Sequence, residues 1–286
     1  MKYFLAKKII FLVFIAAAFY GVAADCLAAA DSSPSTALSA SPDAIAIRIM
    51  PNPNHFSAVR WYKENIKDGG SPQNTIVDGY QAVRDGRTVY ANAANIAGGN
   101  FYTNIYLISY SQRAESQTID IFGQILKYWK LNSNISSREE KDKIRRDTKR
   151  LADLADLNSS LTNYYNKNKN YPKLAAGSYL SGKTVSVWPS WQATLGATLG
   201  ATLPVDPINK LTECRADCCA ANNCLNDNDK ASCGYEQNTC WNQTNKTFYF
   251  DFTGAGQKSL SGSSVYYYKD NQFFVNLETK DNYNFN

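Results

Sequence analysis

A single histidine, His55, and a cysteine-free stretch from Asp43 to Thr212 set the first limits on this 286-residue chain. One histidine cannot furnish the paired-histidine helix of a zinc protease, and the motifs of serine hydrolases are missing as well. No serine or cysteine nucleophile can be set beside His55, which reads as a structural or exposed residue at the start of a helix. The cysteine gap leaves residues 43–212 without a thiol that could cross-link them. Apolar runs are equally scarce. The longest, beginning at Ile9 and ending by Ala24, falls short of the roughly 20 residues that a membrane-spanning helix needs. Net charge is low: the formal value is +5, and it drops to +3 once residues 1–30 are removed with their three lysines and one aspartate. That is too little to imply a nucleic-acid partner by itself.

What is present begins with an export signal. Lys2, Lys7 and Lys8 precede the apolar run Ile9–Ala18, and Val22-Ala23-Ala24 offers the small residues at which a signal peptide is cut. Residues 1–24 are therefore expected to be a signal peptide, with a second cut site after Ala28-Ala29-Ala30. Membrane attachment is expected only if this segment is kept as an anchor. Residues 25–43 are rich in Ser, Ala and Pro and read as a linker. The location predicted is extracytoplasmic, secreted or on the cell surface. Cysteine usage agrees. Cys214, Cys218, Cys219, Cys224, Cys233 and Cys240 crowd into one short segment. In an exported chain that reads as a disulfide framework, with the connectivity left open and Cys218 and Cys219 bonded to different partners.

Periodicity predicts an α+β fold. An N-terminal α+β module is placed at 44–132, with a strand over 44–50, a helix over 55–66, a hairpin turning at Asp85-Gly86, a strand over 101–109 and an amphipathic helix over 116–131. Ser137 and Glu140 make a capping box for a helix running to about Asn168. Along it, Glu139 with Lys143 and Asp142 with Arg146 have the favoured i,i+4 polarity. The remainder, 137–286, is read as a long helix, a short helix over 191–203, the cysteine-rich loop 214–240 and three closing strands.

From Asp147 onward the order of segments resembles the globular half of type IV pilin-like proteins and type II secretion pseudopilins. The matching residues are Arg150-Leu-Ala-Asp-Leu154, Asn170-Tyr-Pro172, Leu203-Pro-Val-Asp-Pro-Ile-Asn209 and Phe274-Val-Asn-Leu-Glu278. Together with Trp188-Pro-Ser-Trp191 and Cys240-Trp-Asn242, the layout also resembles a set of uncharacterised exported bacterial proteins. The resemblance implies a long helix whose C-terminal half lies on a small antiparallel sheet. It departs from the pilin pattern at the front, where an ordinary signal and residues 44–132 replace the polymerising apolar helix. A soluble or surface-associated relative is implied rather than a filament subunit.

Candidate chemistry is sparse, and no catalytic residues are assigned. Gly177-Ser-Tyr-Leu-Ser-Gly-Lys-Thr184 matches the letters of a phosphate-binding loop but is not preceded by a core strand, and Pro189 follows too soon for the required helix. Asp153 and Asp156 lie close on the long helix and read as surface charge. Asn226, Asp227, Asn228 and Asp229 form the one oxygen-rich cluster suited to Ca²⁺, which is the only cofactor expected. Lys141, Lys143, Arg145, Arg146, Lys149 and Arg150 form a cationic run, read as a solvated face or as a docking stripe. The leading expectation is an exported, non-enzymatic cell-surface or envelope protein with an unknown partner. The alternatives are an extracellular carbohydrate-active enzyme, whose two carboxylates need not be neighbours in sequence, and a DNA-binding pilin relative.

Overall fold

Two sheets and one long helix organise the chain. The computed structural model describes residues 43–174, 182–209, 241–242, 247–248 and 263–285, all within the unit Ser41–Asn286. The signal, most of the linker, the six clustered cysteines, Asn226–Asp229 and residues 250 and 252, which with Phe248 alternate as the first of the three expected closing strands, lie outside them. The mixed α+β class is observed.

In chain order, β1 (Ile45–Pro51) leads to α1 (Ala58–Asn65) and then to β2 (Gln73–Val77), β3 (Tyr80–Asp85), β4 (Thr88–Ala97) and β5 (Asn100–Tyr110). Helices α2 (Ser116–Tyr128) and α3 (Arg138–Asn168) follow. Next come β6 (Thr184–Val185), a π-helical segment Trp191–Gly196 and the single turn α4 (Ala197–Leu199). Strands β7 (Trp241–Asn242) and β8 (Thr247–Phe248) pair with each other, and β9 (Tyr266–Lys269), β10 (Gln272–Val275) and β11 (Asn284–Phe285) end the chain.

The first sheet runs β1-β5-β4-β3-β2, antiparallel throughout, with β11 added in parallel to β5. Tight turns set its register. Val77 pairs with Tyr80 across Asp78-Gly79, both at positive φ, the conformation that a two-residue hairpin needs. The expected turn at Asp85-Gly86 is displaced by one residue: Asp85 pairs with Thr88, so Gly86 and Arg87 are the central pair. On one face Val89, Ala91 and Ile108 bury against Phe122 of α2 and Ile144 of α3. On the other, Trp61 and Tyr62 of α1 bury against Val83, Tyr90 and Ile105.

The expected cap of α3 is half present. Ser137 Oγ accepts from Glu140 N at 3.2 Å, while the Glu140 carboxylate accepts from the Asn282 amide rather than closing the box. The second half of α3 lies on the sheet β10-β9-β6, where Leu157 and Leu161 bury with Trp191, Leu195, Tyr266, Tyr268 and Phe273. The short helix ends earlier than its leucine spacing suggests. Gly200 adopts φ 68° and stops it, and Leu203 packs from the loop beyond. The boundary drawn at residues 132–137 falls between elements that share a core: Ile144 is buried with the first sheet, and Phe285 stacks on Phe101 of β5.

Candidate functional site

Asp147, Arg150, Leu154, Leu157 and Leu161 recur at intervals of three and four along α3, so the Arg150 guanidinium rides on the same stripe as the core leucines. It is fully buried. Nε and Nη2 form a two-pronged contact with Asp206, at 2.6 and 2.9 Å. Nη1 donates to Asp147 at 2.8 Å and also to Glu278. The carboxylates are fastened in turn. Asp147 Oδ2 accepts from the Thr279 backbone and hydroxyl, each at 2.8 Å, and Asp206 Oδ1 accepts from Ile208 N at 2.9 Å. Arg146 also holds Glu278, donating from Nε to Oε1, which it shares with Arg150, at 2.7 Å and from Nη2 to Oε2 at 2.6 Å.

Burial alone would lower the Arg150 pKa, but its hydrogen bonds to Asp206 and that group's charge, then Asp147 and Glu278, more than reverse this. Glu278 behaves in the complementary way. Burial favours its neutral form, yet Arg146 and Arg150 together bring its pKa below the ordinary glutamate value. The stability it contributes is therefore present above its unfolded pKa of about 4.3 and is lost as pH falls through the lower folded value. Glu278→Gln should be less stable at pH 7 but lose less stability between pH 5 and 3, in denaturation midpoints measured at both ends of that range. An unchanged acid limb would mean that the pair carries no linkage.

A second cluster adjoins. Lys149 Nζ lies 2.5 Å from Asp153 Oδ2, which also accepts from the Tyr266 hydroxyl at 2.7 Å. Asp153 is thus a buried partner of β9 and not the surface charge that its helical position suggests; burial raises its pKa against the opposing pull of Lys149. Asp156 tethers α1, accepting from Ser57 Oγ at 3.2 Å and pairing with Arg60 at 3.4 Å.

Nearer the start of α3, Arg145 reaches Asp78 at 2.9 Å and Asp142 at 2.8 Å, while Lys130 also contacts Asp78 at 3.3 Å. Asp142 therefore serves Arg145 and not the Arg146 that helix spacing pairs with it. Glu139–Lys143 forms as expected, at 2.7 Å. Between α3 and the first sheet is a cleft of about 190 Å³ whose lining includes Tyr80, Gln81, Asn92, Arg145, Arg146 and Lys149. Gly79 forms part of its wall at φ 81°, and a Cβ there would stand 3.1 Å from Arg145 Cδ and Nε. Gly79→Ala is expected to cost roughly 1–3 kcal/mol in urea unfolding through backbone strain and crowding; a neutral result would show that the turn and Arg145 can both yield.

The predicted cationic stripe is thus divided. Arg150 is buried, Arg145, Arg146, Lys143 and Lys149 each face a carboxylate, and Lys141 lines a shallow patch beside Arg138 and Arg145. His55 sits at φ 52° with Nδ1 2.9 Å from Thr103 Oγ1, and burial lowers its pKa. Where the phosphate-loop letters end, Thr184 and Val185 form β6, so a strand stands where that motif needs a helix. Among the described residues no cluster of histidine, cysteine or acidic side chains could hold a metal ion, and no helix is long and apolar enough to cross a membrane. Sequence reasoning missed the hub itself, whose one available sign was a cation in phase with an apolar stripe.

Comparison with known protein families, with curated proteins and with solved structures finds no match.

Proposed function

We propose that this chain is an exported, non-enzymatic cell-surface or envelope protein, structural or interacting in role, with a pilin-like C-terminal half. The observation that carries the reading is the meeting of Arg150, Asp206 and Glu278. Each comes from a different one of the segments on which the pilin-like resemblance rests, and the three are joined at one buried point. Charge in these clusters fastens elements to one another: α3 to the loop after α4, to the C-terminal segment, to β9 and to α1. The second half of α3 over an antiparallel sheet is the arrangement that the resemblance implies, and the N-terminal signal layout supplies the route out.

The carbohydrate-active alternative calls for two carboxylates facing across an open cleft, about 5–9.5 Å apart. The cleft beside α3 is instead lined by cations, amides and a tyrosine. The DNA-binding alternative needs cations free to replace counterions on phosphates, and most of this stripe is already matched by carboxylates.

Intact cells treated with a membrane-impermeant amine reagent test the proposal. The chain should be labelled without lysis; labelling confined to lysed cells would place it inside and end the proposal.

A further inference from the structure

Strand β1 is an edge. Among the described residues it pairs with β5 alone, and its other side carries no strand. The flanking hydrogen bonds fix which backbone groups face outward. Asn52 N donates to Thr103 O at 3.0 Å and Ser111 N donates to Ala44 O at 2.9 Å. In an antiparallel ladder the bonded residues alternate. The even-numbered residues of β1 therefore turn to β5, and Ile45, Ile47 and Ile49 direct their N–H and C=O groups outward. The side chains of these three isoleucines share one face of the sheet. Ile47 is 50% exposed and Ile49 53%.

Helix α2 leaves Ile47 and Ile49 uncovered, while Ile45 is half-buried against the core that holds Phe122. Thr118 Oγ1 bonds to Asp43 Oδ2 at 2.6 Å, placing the start of α2 beside the start of β1. Ile121, one helical turn on from Thr118 and on the same side, is 44% exposed. Natural edge strands are usually blunted by lysine, internal proline, bulges or a covering element. Here Arg48 is the only charge within the strand and Pro51 is its last residue.

We infer that β1 is a self-pairing edge, which joins a second copy of this chain through an antiparallel β1–β1 ladder about a two-fold axis at Ile47. The chemistry selects this occupant and this register. With Ile47 opposite Ile47 and Ile45 opposite Ile49, every pair consists of outward-facing residues that can exchange two backbone hydrogen bonds. The isoleucines then form one unbroken apolar ladder across the seam, the kind of cross-strand pairing that stabilises sheets. Arg48 falls opposite Ala46. Moving the axis to Arg48 would set two guanidiniums against each other and Ile45 against Pro51, so like charge and a missing N–H oppose that register. The contact is isologous, hence closed at two copies. A seam of one short strand on each side is a small contact beside the roughly 1,600 Å² of a standard interface, so the dimer is concentration-dependent in solution and strengthened where copies are held close on a surface.

Sedimentation equilibrium of the mature chain from about 1 to about 500 µM measures the association, with circular dichroism as the folding control. The unsubstituted chain should pass from monomer to dimer, and Ile47→Lys should weaken that step about tenfold or more without changing the spectrum. In a Cys26→Ser background, Ile47→Cys should give an oxidised dimer that the parent and Ile45→Cys do not, since only residue 47 meets itself across the axis. A monomer at every concentration overturns the inference. So does a dimer indifferent to Ile47→Lys, or a cross-link through Ile45→Cys in place of Ile47→Cys.

Discussion

Replacing Arg150 with methionine should cost about 3–5 kcal/mol of folding stability, the loss expected when one partner of a buried ion pair is removed. The cause is what remains. Asp147 and Asp206 are buried with Glu278 beside them, and the guanidinium bonds to all three. Methionine fills much of the volume but leaves carboxylates facing one another in a poorly solvated site. Arg150→Lys should be only a partial rescue, because one ammonium cannot provide the planar fork that contacts Asp206 through two nitrogens. Chemical unfolding followed by fluorescence reads both losses. If Arg150→Met unfolds at the same denaturant concentration as the unsubstituted chain, the hub is not what ties the loop and the C-terminal segment to α3. The total stability of an ordinary domain is about 5–15 kcal/mol, so this single change would remove a large share of it.

Trp191→Ala is the second large expectation, at about 3–5 kcal/mol. Trp191 is fully buried among Leu157, Leu195 and Phe273, its ring set edge-on to Phe273 with centroids 5.7 Å apart. Its Nε1 donates to Pro204 O at 2.9 Å, two residues before Asp206. Truncation therefore opens a cavity in the second core and leaves an unpaired carbonyl beside the loop that supplies Asp206. Trp191→Phe should recover part of the packing but not the hydrogen bond, and so fall between the two. A loss under about 1 kcal/mol for the alanine variant would show that the second core closes over the space.

The sequence showed the elements better than their meeting points. The start of α3 was legible because Ser137 marks its cap, and its second half because leucines recur at helical spacing. The hairpin β3–β4 was legible from Asp85-Gly86, although the paired residues place the turn one position later. Strand β2 was missed because Gln-Asn-Thr-Ile-Val carries a single buried residue, as suits an edge. β11 was missed because two residues make no pattern; its place comes from Phe285 stacking on Phe101. The hub was hidden for a different reason. Arg150 stands at the end of a cationic run, and in one dimension it looks like its neighbours. Its partners lie 56 and 128 residues further along the chain. Only the fold brings Asp206 and Glu278 to it, although both belong to the segments that carry the pilin-like resemblance.

Export is the claim on which the proposed role rests, and the intact mass of the protein recovered from outside the cytoplasm tests it most directly. The expected mass lacks residues 1–24 or 1–30, and the cysteines between 214 and 240 take up an alkylating reagent only after reduction. A full-length chain found in the cytosol with those six thiols free would contradict it.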